Sequence, residues 1–374
     1  MISKLSFKQR FLLEVFRRFR HTESREHSLR YLFWECTLRC NLSCRHCGSD
    51  CLKDSSIKDM PAEDFLRVTA DIAQVYTPGD ITVVLTGGEP LMRKDLEMIG
   101  LKLRQQGFRW GLVTNGFSLT KERLNQLLNA GLGAITISLD GLEAEHNWLR
   151  GHPDSHRRAL EAIRMASAEK RLNSDVVTCV NQRNLHLLKD IEDELAGAGL
   201  QNWRLFTISP IGRAAGEPDL QISHDQFIHL LDFIADNRKR HALPRASFSC
   251  ESYIGSYEGV ARDGFFFCRA GIHIASVLFD GGISACPNID RTLVQGNIYQ
   301  DDFNTIWAEK FEPFRNRSWT RTGPCESCKS YRYCEGSSLH EWDFQHQQLR
   351  RCLLTGYYSA ETNGSSISET LLKK

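Results

Sequence analysis

Three cysteines stand within eight residues, Cys40, Cys44 and Cys47, spaced C-x3-C-x2-C with His46 just before the last. Thiolates this close can wrap one metal centre. A four-iron, four-sulfur (4Fe–4S) cluster held by three cysteines keeps one iron without a protein ligand, and that iron is open to an outside group and to chemistry. A structural zinc ion would instead take four protein ligands. A second set lies far down the chain: Cys325, Cys328 and Cys334 form C-x2-C-x5-C, Cys352 follows, and Cys268 and Cys286 precede it in C-x12-G-x4-C. The chain has 13 cysteines, and their clustering favours metal ligation over disulfides.

The elements that must position the triplet are legible around it. Residues 31–36 are apolar and aromatic and predict a buried strand that delivers the chain to Cys40. Residues 81–85 predict a second strand that runs into Gly87, Gly88, Glu89 and Pro90. Two glycines before a carboxylate bring bare backbone against a ligand and present one acceptor, a turn suited to an amino group. Strands are then predicted at 110–114, 134–139, 176–180 and 203–208, and helices at 94–106, 121–129, 156–171 and 185–198. Six β/α units in series over residues 31–212 imply an α/β fold, a parallel sheet curled into a partial (β/α)6 TIM-like barrel with its helices outside. The polar and glycine signals, including Asn115-Gly116 and Ser138-Leu139-Asp140-Gly141, all follow strands. They therefore converge on the rim where barrels place their sites. Glycine and proline collect near 212–218, a helical bridge is expected over 213–249, a smaller cysteine-rich domain over 250–355, and a frayed tail over 356–374.

Composition narrows the classes. The 374 residues are 41% hydrophobic and 25% charged, as in a soluble globular protein, and a net charge of only +1 argues against nucleic acid as a partner. No stretch is apolar enough to span a bilayer, and the start lacks the features of a signal peptide, so a cytoplasmic location is expected. Residues 1–30 carry eight Lys or Arg against three Glu. Phe7, Phe11, Leu12, Val15, Phe16 and Phe19 fall near helical spacing, which predicts an amphipathic lead-in helix. The expectation is that it covers one end of the barrel, with contact to a membrane surface or to a substrate's leader segment as the alternatives.

The triplet after a first strand, with GGEP after the second, resembles the radical S-adenosylmethionine (SAM) enzymes. The resemblance implies that Cys40, Cys44 and Cys47 bind a 4Fe–4S cluster whose open iron chelates SAM. An electron from the cluster then yields a 5′-deoxyadenosyl radical that abstracts hydrogen from an unactivated C–H bond. It places His46 near the adenine and Gly87, Gly88, Glu89 and Pro90 at the SAM amino group, with Glu89 as acceptor. Asn115 and Ser138 fall at strand ends that contact the ribose and methionine parts, and Arg150 at a position that pairs with the SAM carboxylate. Turn-forming and capping are the alternatives for Asn115 and Ser138. No catalytic acid, base or nucleophile is assigned. A reducing partner such as a flavodoxin or ferredoxin is implied. Cys36 and Cys51, which bracket the triplet, have no carried-over role and read as structural.

The second set resembles the SPASM extension, which carries auxiliary clusters. Cys325, Cys328, Cys334 and Cys352 can complete one four-thiolate site, with structural zinc as the alternative occupant. The family's next cysteine is replaced by Ser338, which leaves Cys268 and Cys286 short unless Cys250 or a nonprotein group completes them; one or two auxiliary clusters are therefore expected. SPASM enzymes often act on peptides or small proteins, so the expected function is a peptide maturase that cross-links, epimerises or oxidises its substrate. Sulfatase-type Cys/Ser maturation is disfavoured, because the family's aspartate after the cysteine matched by Cys286 is here Pro287, leaving only Asp280 or Asp290 for reuse. Small-molecule dehydrogenation and a non-catalytic iron–sulfur or zinc scaffold complete the alternatives. Cys179 could donate a hydrogen atom if it faced the barrel lumen; core packing is the expected role.

Overall fold

The computed structural model describes residues 5–49, 51, 55, 57–249 and 251–359. Ten strands form one sheet: β1 Tyr31–Glu35, β2 Thr82–Thr86, β3 Arg109–Thr114, β4 Leu132–Ser138, β5 Asn173–Val180, β6 Asn202–Thr207, β7 Arg245–Phe248, β8 Ile274–Val277, β9 Gly282–Ser284 and β10 Gly296–Asn297. Their order is β10-β9-β8-β1-β2-β3-β4-β5-β6-β7. Strands β1 to β7 pair in parallel, each with the next in sequence. The longer helices are α1 Phe7–Glu26, α2 Ala62–Val75, α3 Leu96–Gln105, α4 Lys121–Asn129, α5 Glu143–Arg150, α6 Ser155–Ser167, α7 Leu188–Gly197, α8 His224–Lys239 and α9 Phe303–Glu309.

Alternation within the strands sorts side chains between helices and lumen. In β1, Leu32 and Trp34 are fully buried on the helix side, where the Trp34 indole stacks on Phe65 of α2 with ring centroids 4.2 Å apart. In β2, Val83 and Leu85 do the same, while Thr82, Val84 and Thr86 are half-buried on the other face. The α/β partial barrel is thus as the alternation predicts.

Three features differ from the sequence reading. The bridge after β6 is not only helical: residues 213–249 also deliver β7, because α8 turns back and lays residues 245–248 along β6. The cysteine-rich region shares the sheet with the barrel, since β8 pairs in parallel with β1 through Tyr31↔Ile274 to Trp34↔Val277, and β9 and β10 continue as an antiparallel ribbon. And α1, expected across a barrel end, docks on the C-terminal region. Its Leu13 packs with Tyr253, Phe266 and Tyr333, Phe16 meets Phe265 at 5.3 Å between centroids, and buried Arg20 donates to the Tyr333 carbonyl at 2.6 Å and pairs with Glu335 at 2.6 Å. The capping box of Ser6 and Gln9 starts that helix where the sequence places it.

Candidate active site

The triplet loop is fixed from three sides. From β2, the Gly88 N–H donates to the Thr37 carbonyl at 2.7 Å and the Glu89 N–H to the Arg39 carbonyl at 2.9 Å. A Cβ at Gly87, whose φ is +125°, would sit 2.3 Å from the Thr37 oxygen, and one at Gly88 would sit 2.3 Å from the Arg39 oxygen. The two glycines are therefore needed where the turn zips against the chain entering the cysteines. That requirement is separate from bare backbone facing a ligand. From the α5 side, the Arg45 N–H donates to the Leu149 carbonyl at 2.9 Å. From the segment after β6, Arg213 donates to the Cys44 carbonyl at 2.7 Å, the Cys51 carbonyl at 3.1 Å and, through its own N–H, the Cys47 carbonyl at 3.0 Å.

These elements enclose a cavity of roughly 580 Å³. Cys40, Cys44 and Cys47 line it together with His46, Gly87, Gly88, Asn115, Ser138 and Arg150, and its far wall comes from the C-terminal region through Pro287, Asp290, His340, Trp342 and Arg350. The structure thus gathers the expected residues at the barrel rim, with two exceptions. Glu89 and Pro90 lie behind the lining. Fully buried Glu89 accepts from the Leu91 N–H at 3.0 Å, the Thr114 hydroxyl at 2.7 Å and the Asn115 N–H at 2.8 Å, so its carboxylate ties the β2 turn to the end of β3. The expected acceptor for an amino group is in place a strut inside the protein. Burial pushes its pKa up, against those donors.

Arg150 differs in a similar way. Its guanidinium lies 2.6 Å from the fully buried Asp140 carboxylate and 3.7 Å from Cys44 Sγ. Burial raises the Asp140 pKa, but Arg150, His46, His146 and the Cys179 N–H together outweigh it and hold the carboxyl low. The pair is compensated within the chain, and Asp140 also accepts from the Cys179 N–H at 2.8 Å. Asn115 caps the cavity beside the triplet: its amide donates to Asn41 at 2.8 Å and lies 3.9 Å from Cys40 Sγ.

The donor set fits an iron–sulfur cluster. Among the described residues no cysteine is in a disulfide. Burial pushes Cys40 up to about 12, so a neutral thiol is its resting form without a compensating cation. Cys47 moves the other way, to about 5, chiefly because the Cys51 thiol donates to it. His46 Nδ1 is buried without a partner in a ring held neutral, its pKa down to about 4 by burial and the nearby Arg150. An unpartnered buried polar atom at the cavity wall suits a polar ligand. A single zinc ion would draw its sulfurs to about 3.8 Å from one another, the edge of a tetrahedron with bonds of about 2.3 Å. Among the described residues the only group of three or more His, Cys, Asp or Glu ligand atoms within 4.8 Å of one another is His46, Asp140 and Cys179. Neither cysteine set is drawn in that tightly. In that one group Asp140 is already bound to Arg150.

Two of the cysteines read as structural or core lie close to the triplet. Cys51 lines the cavity, and its N–H donates to Cys47 Sγ at 3.4 Å. Cys179 lies on the face of β5 opposite the buried Val176, Thr178 and Val180, near His46 and Asp140, and packs against the buried cluster of Leu149, Ile208, Ala214 and Leu220, in line with the core-packing expectation. It does not line the cavity. Cys36 is fully buried, as expected.

In the second set, Cys325, Cys328, Cys334 and Cys352 come near one another; Cys325 and Cys352 pack with Trp342 and Leu349, and Cys334 with Tyr253 and Tyr333. Burial pushes Cys325 up to about 11, and Cys352 and Cys328 add to the rise; Cys334 is raised by burial and by the same neighbours. Cys268 is separate in character. Burial raises its thiol, but Arg317 and the backbone N–H groups of Leu339 and Ala270 together outweigh that and hold it low. The Ser338 hydroxyl donates to the Glu251 carbonyl, and Cys250 lies outside the described residues. Pro287, after Cys286, does face the cavity, while Asp290 caps Thr292 at 2.9 Å and Asp280 accepts from Gly282 at 3.1 Å. Asp290 stands at the cavity wall, whereas Asp280 is not among the lining residues. Sequence reasoning missed Arg213 and the Asp140–Arg150 pair. The only local signals were the Gly212-Arg213 step and the strand-end motif Ser138-Leu139-Asp140-Gly141.

Comparison with known proteins agrees with this geometry. Residues 34–195 match the radical SAM superfamily and residues 268–329 the SPASM iron–sulfur cluster-binding domain. The chain is 33% identical over 366 residues to the PqqA peptide cyclase of Bradyrhizobium diazoefficiens, covering 91% of this chain and 87% of that one. It is 26% identical over 344 residues to the AdoMet-dependent heme synthase of Nitratidesulfovibrio vulgaris, covering 87% and 91%. Among solved structures, Streptococcus suis SuiB bound to S-adenosylmethionine superposes with a TM-score of 0.64 at 17% identity, covering 85% of this chain and 76% of that one.

Proposed function

This chain belongs to the radical SAM superfamily and is an enzyme with a SPASM auxiliary domain, and we propose that it abstracts hydrogen from a peptide or small protein to cross-link, epimerise or oxidise it. The observation that carries this reading is the cavity itself. Three cluster cysteines form one wall and residues of the SPASM region the other, in a chain 33% identical to a peptide cyclase. Bound at the triplet, the cluster supplies an electron and SAM the radical that takes the hydrogen atom.

The chain's own residues have the following roles in this reading. Cys40, Cys44 and Cys47 hold the cluster. Gly87 and Gly88 let the β2 turn pack against the chain entering the triplet and present their backbone to the cavity. His46, neutral and with Nδ1 unpartnered, accepts or donates one hydrogen bond to the cofactor. Asn115 and Ser138 offer amide and hydroxyl groups at the strand ends. Arg150 keeps a cation beside the Cys44 sulfur and, neutralised by Asp140, adds little net charge to the cavity. Trp342, His340 and Arg350 close the side away from the cluster, where the substrate enters. A flavodoxin- or ferredoxin-like protein supplies the electron.

Anaerobically reconstituted enzyme with SAM and a strong reductant releases 5′-deoxyadenosine in this reading; no release refutes the enzyme chemistry. Incubation with a short peptide encoded beside the gene then separates the reactions. A mass change of minus two marks cross-linking, zero with altered chirality marks epimerisation, and plus one oxygen marks oxidation. The likeness to a heme synthase over 91% of that protein favours a porphyrin as a second substrate class. Loss of mass from an iron porphyrin in the same incubation, with the peptide unchanged, would decide for it.

A further inference from the structure

One side of α1 has no partner among the described residues. Leu13, Phe16 and Arg20 are spent on the C-terminal region. On the opposite side Phe7, Phe11, Val15 and Phe19 follow one another at four-residue spacing, with Leu12 beside them, and they are 87%, 60%, 51%, 49% and 38% exposed. At 100° per residue these five occupy an arc of about 140°, and the stripe from Phe7 to Phe19 is about 18 Å long. Among the described residues this is the largest exposed apolar group in one element, and exposed stripes of this kind mark an interaction site.

The charges on the same arc indicate what the stripe meets. Lys8, Arg18 and Arg25 fall within it against one acid, Glu26 in the final turn; Glu14 and Glu23, each about 20° beyond an edge, are already paired with Arg17 and His273. Among the described residues the ion pairs of α1 involve Glu14, Arg17, Arg20 and Glu23, and none involves Lys8, Arg18 or Arg25. Aromatic side chains suit the boundary between headgroups and acyl chains, and long cationic side chains reach back to the phosphates above it. A second copy of α1 would set these cations against one another. No helix among the described residues is long and apolar enough to cross a membrane, so the contact is a surface one.

We propose that α1 is a docking helix for an anionic lipid bilayer, lying in the plane of the surface with Phe7, Phe11, Val15 and Phe19 inserted and Lys8, Arg18 and Arg25 on the headgroups. The enzyme would then work on substrates presented at that surface. This inference is independent of which bond the enzyme forms.

The test is co-sedimentation of the full chain with vesicles of phosphatidylcholine alone and of phosphatidylcholine with one quarter phosphatidylglycerol. Binding to the anionic vesicles should exceed binding to the neutral ones by about tenfold or more, and fall with salt. The double variant Phe11→Ser/Phe19→Ser should lose about tenfold or more of it, and Lys8→Glu/Arg18→Glu, which keeps the stripe, should lose the preference for anionic lipid. Thermal melting and cleavage of SAM in solution should not change in either variant. Equal, weak binding to both vesicle types overturns the proposal. So does a concentration-dependent dimer that Phe11→Ser/Phe19→Ser abolishes, which assigns the stripe to a second copy, or binding of an acidic helical peptide in place of vesicles. If the serine variant fails to fold, the charge variant reads the same contact.

Discussion

Gly88→Ala separates two reasons for a glycine at the site. If the residue is there only so that a ligand can approach bare backbone, alanine weakens SAM binding and leaves the fold and the cluster intact. The structure gives it a different task. The new Cβ would lie 2.3 Å from the Arg39 carbonyl oxygen and 2.8 Å from its carbon, both backbone atoms with no rotamer to yield. Relief requires the two segments to part by about 1 Å, which strains or breaks the 2.7 Å bond from Gly88 to Thr37 and the 2.9 Å bond from Glu89 to Arg39. Two backbone hydrogen bonds at about 1 kcal/mol each, with overpacking of about 1–3 kcal/mol, put the cost at roughly 3–5 kcal/mol. That is a large share of the ~5–15 kcal/mol that holds a domain together. Because the displaced chain is the one that enters Cys40, the triplet should move with it. The assay is urea unfolding together with iron content and the visible absorption of the anaerobically reconstituted protein. Gly79→Ala is the control: nothing lies within 4 Å of its Cβ, so it should stay within about 0.5 kcal/mol of the parent. Wild-type stability and full iron in Gly88→Ala, with only SAM affinity reduced, would refute the packing argument.

Arg351→Met should destabilise by about 3–5 kcal/mol in urea unfolding, since it strands the fully buried Glu341 carboxylate that it meets at 2.7 Å and also removes bonds to Thr207, Ile208 and Ser209. The same pair sets an acid limit. Burial raises the Glu341 pKa, but Arg351 and His340 outweigh it and hold the carboxyl far below its ordinary 4.5. Its contribution is therefore present above about pH 4.5 and is lost as pH falls below that, so the stability gap between the parent and Glu341→Gln should shrink from pH 6 to pH 3. Cys325→Ser and Cys352→Ser should each lose about four irons while SAM is still cleaved through the first cluster; loss of the 5′-deoxyadenosine activity together with all iron would show that the two centres are not independent. Glu89→Gln should cost about 2–4 kcal/mol in the same unfolding assay, because one face of the amide meets donors where the carboxylate accepted three bonds; an unchanged midpoint would refute its role as a strut.

Much of the site was legible because its signals are local. A cysteine triplet fits in one loop, GGEP in one turn, and the switch between a period of 2 and a period of 3.6 marks each β/α unit. What the sequence could not show are the pairings between distant residues. Glu89 looks like a ligand until the ends of β2 and β3 are seen to meet over it. Arg150 looks free until Asp140, ten residues earlier, folds back at 2.6 Å. For Cys179, alternation says only that it shares a face with Val177; which face is inward depends on how the sheet curls.

The sequence by itself carried the motifs whose family resemblance implies the cofactor chemistry, and it set the order of elements, because motif spacing and hydrophobic period are fixed along the chain. The tertiary structure alone decided how those elements close around the cavity. It placed β8 against β1 across more than two hundred residues, brought Arg213 onto the Cys44 carbonyl 169 positions away, and seated the basic helix on the SPASM region with its aromatic stripe turned outward. Such contacts depend on burial and on hydrogen bonds between segments, and no local spacing encodes them.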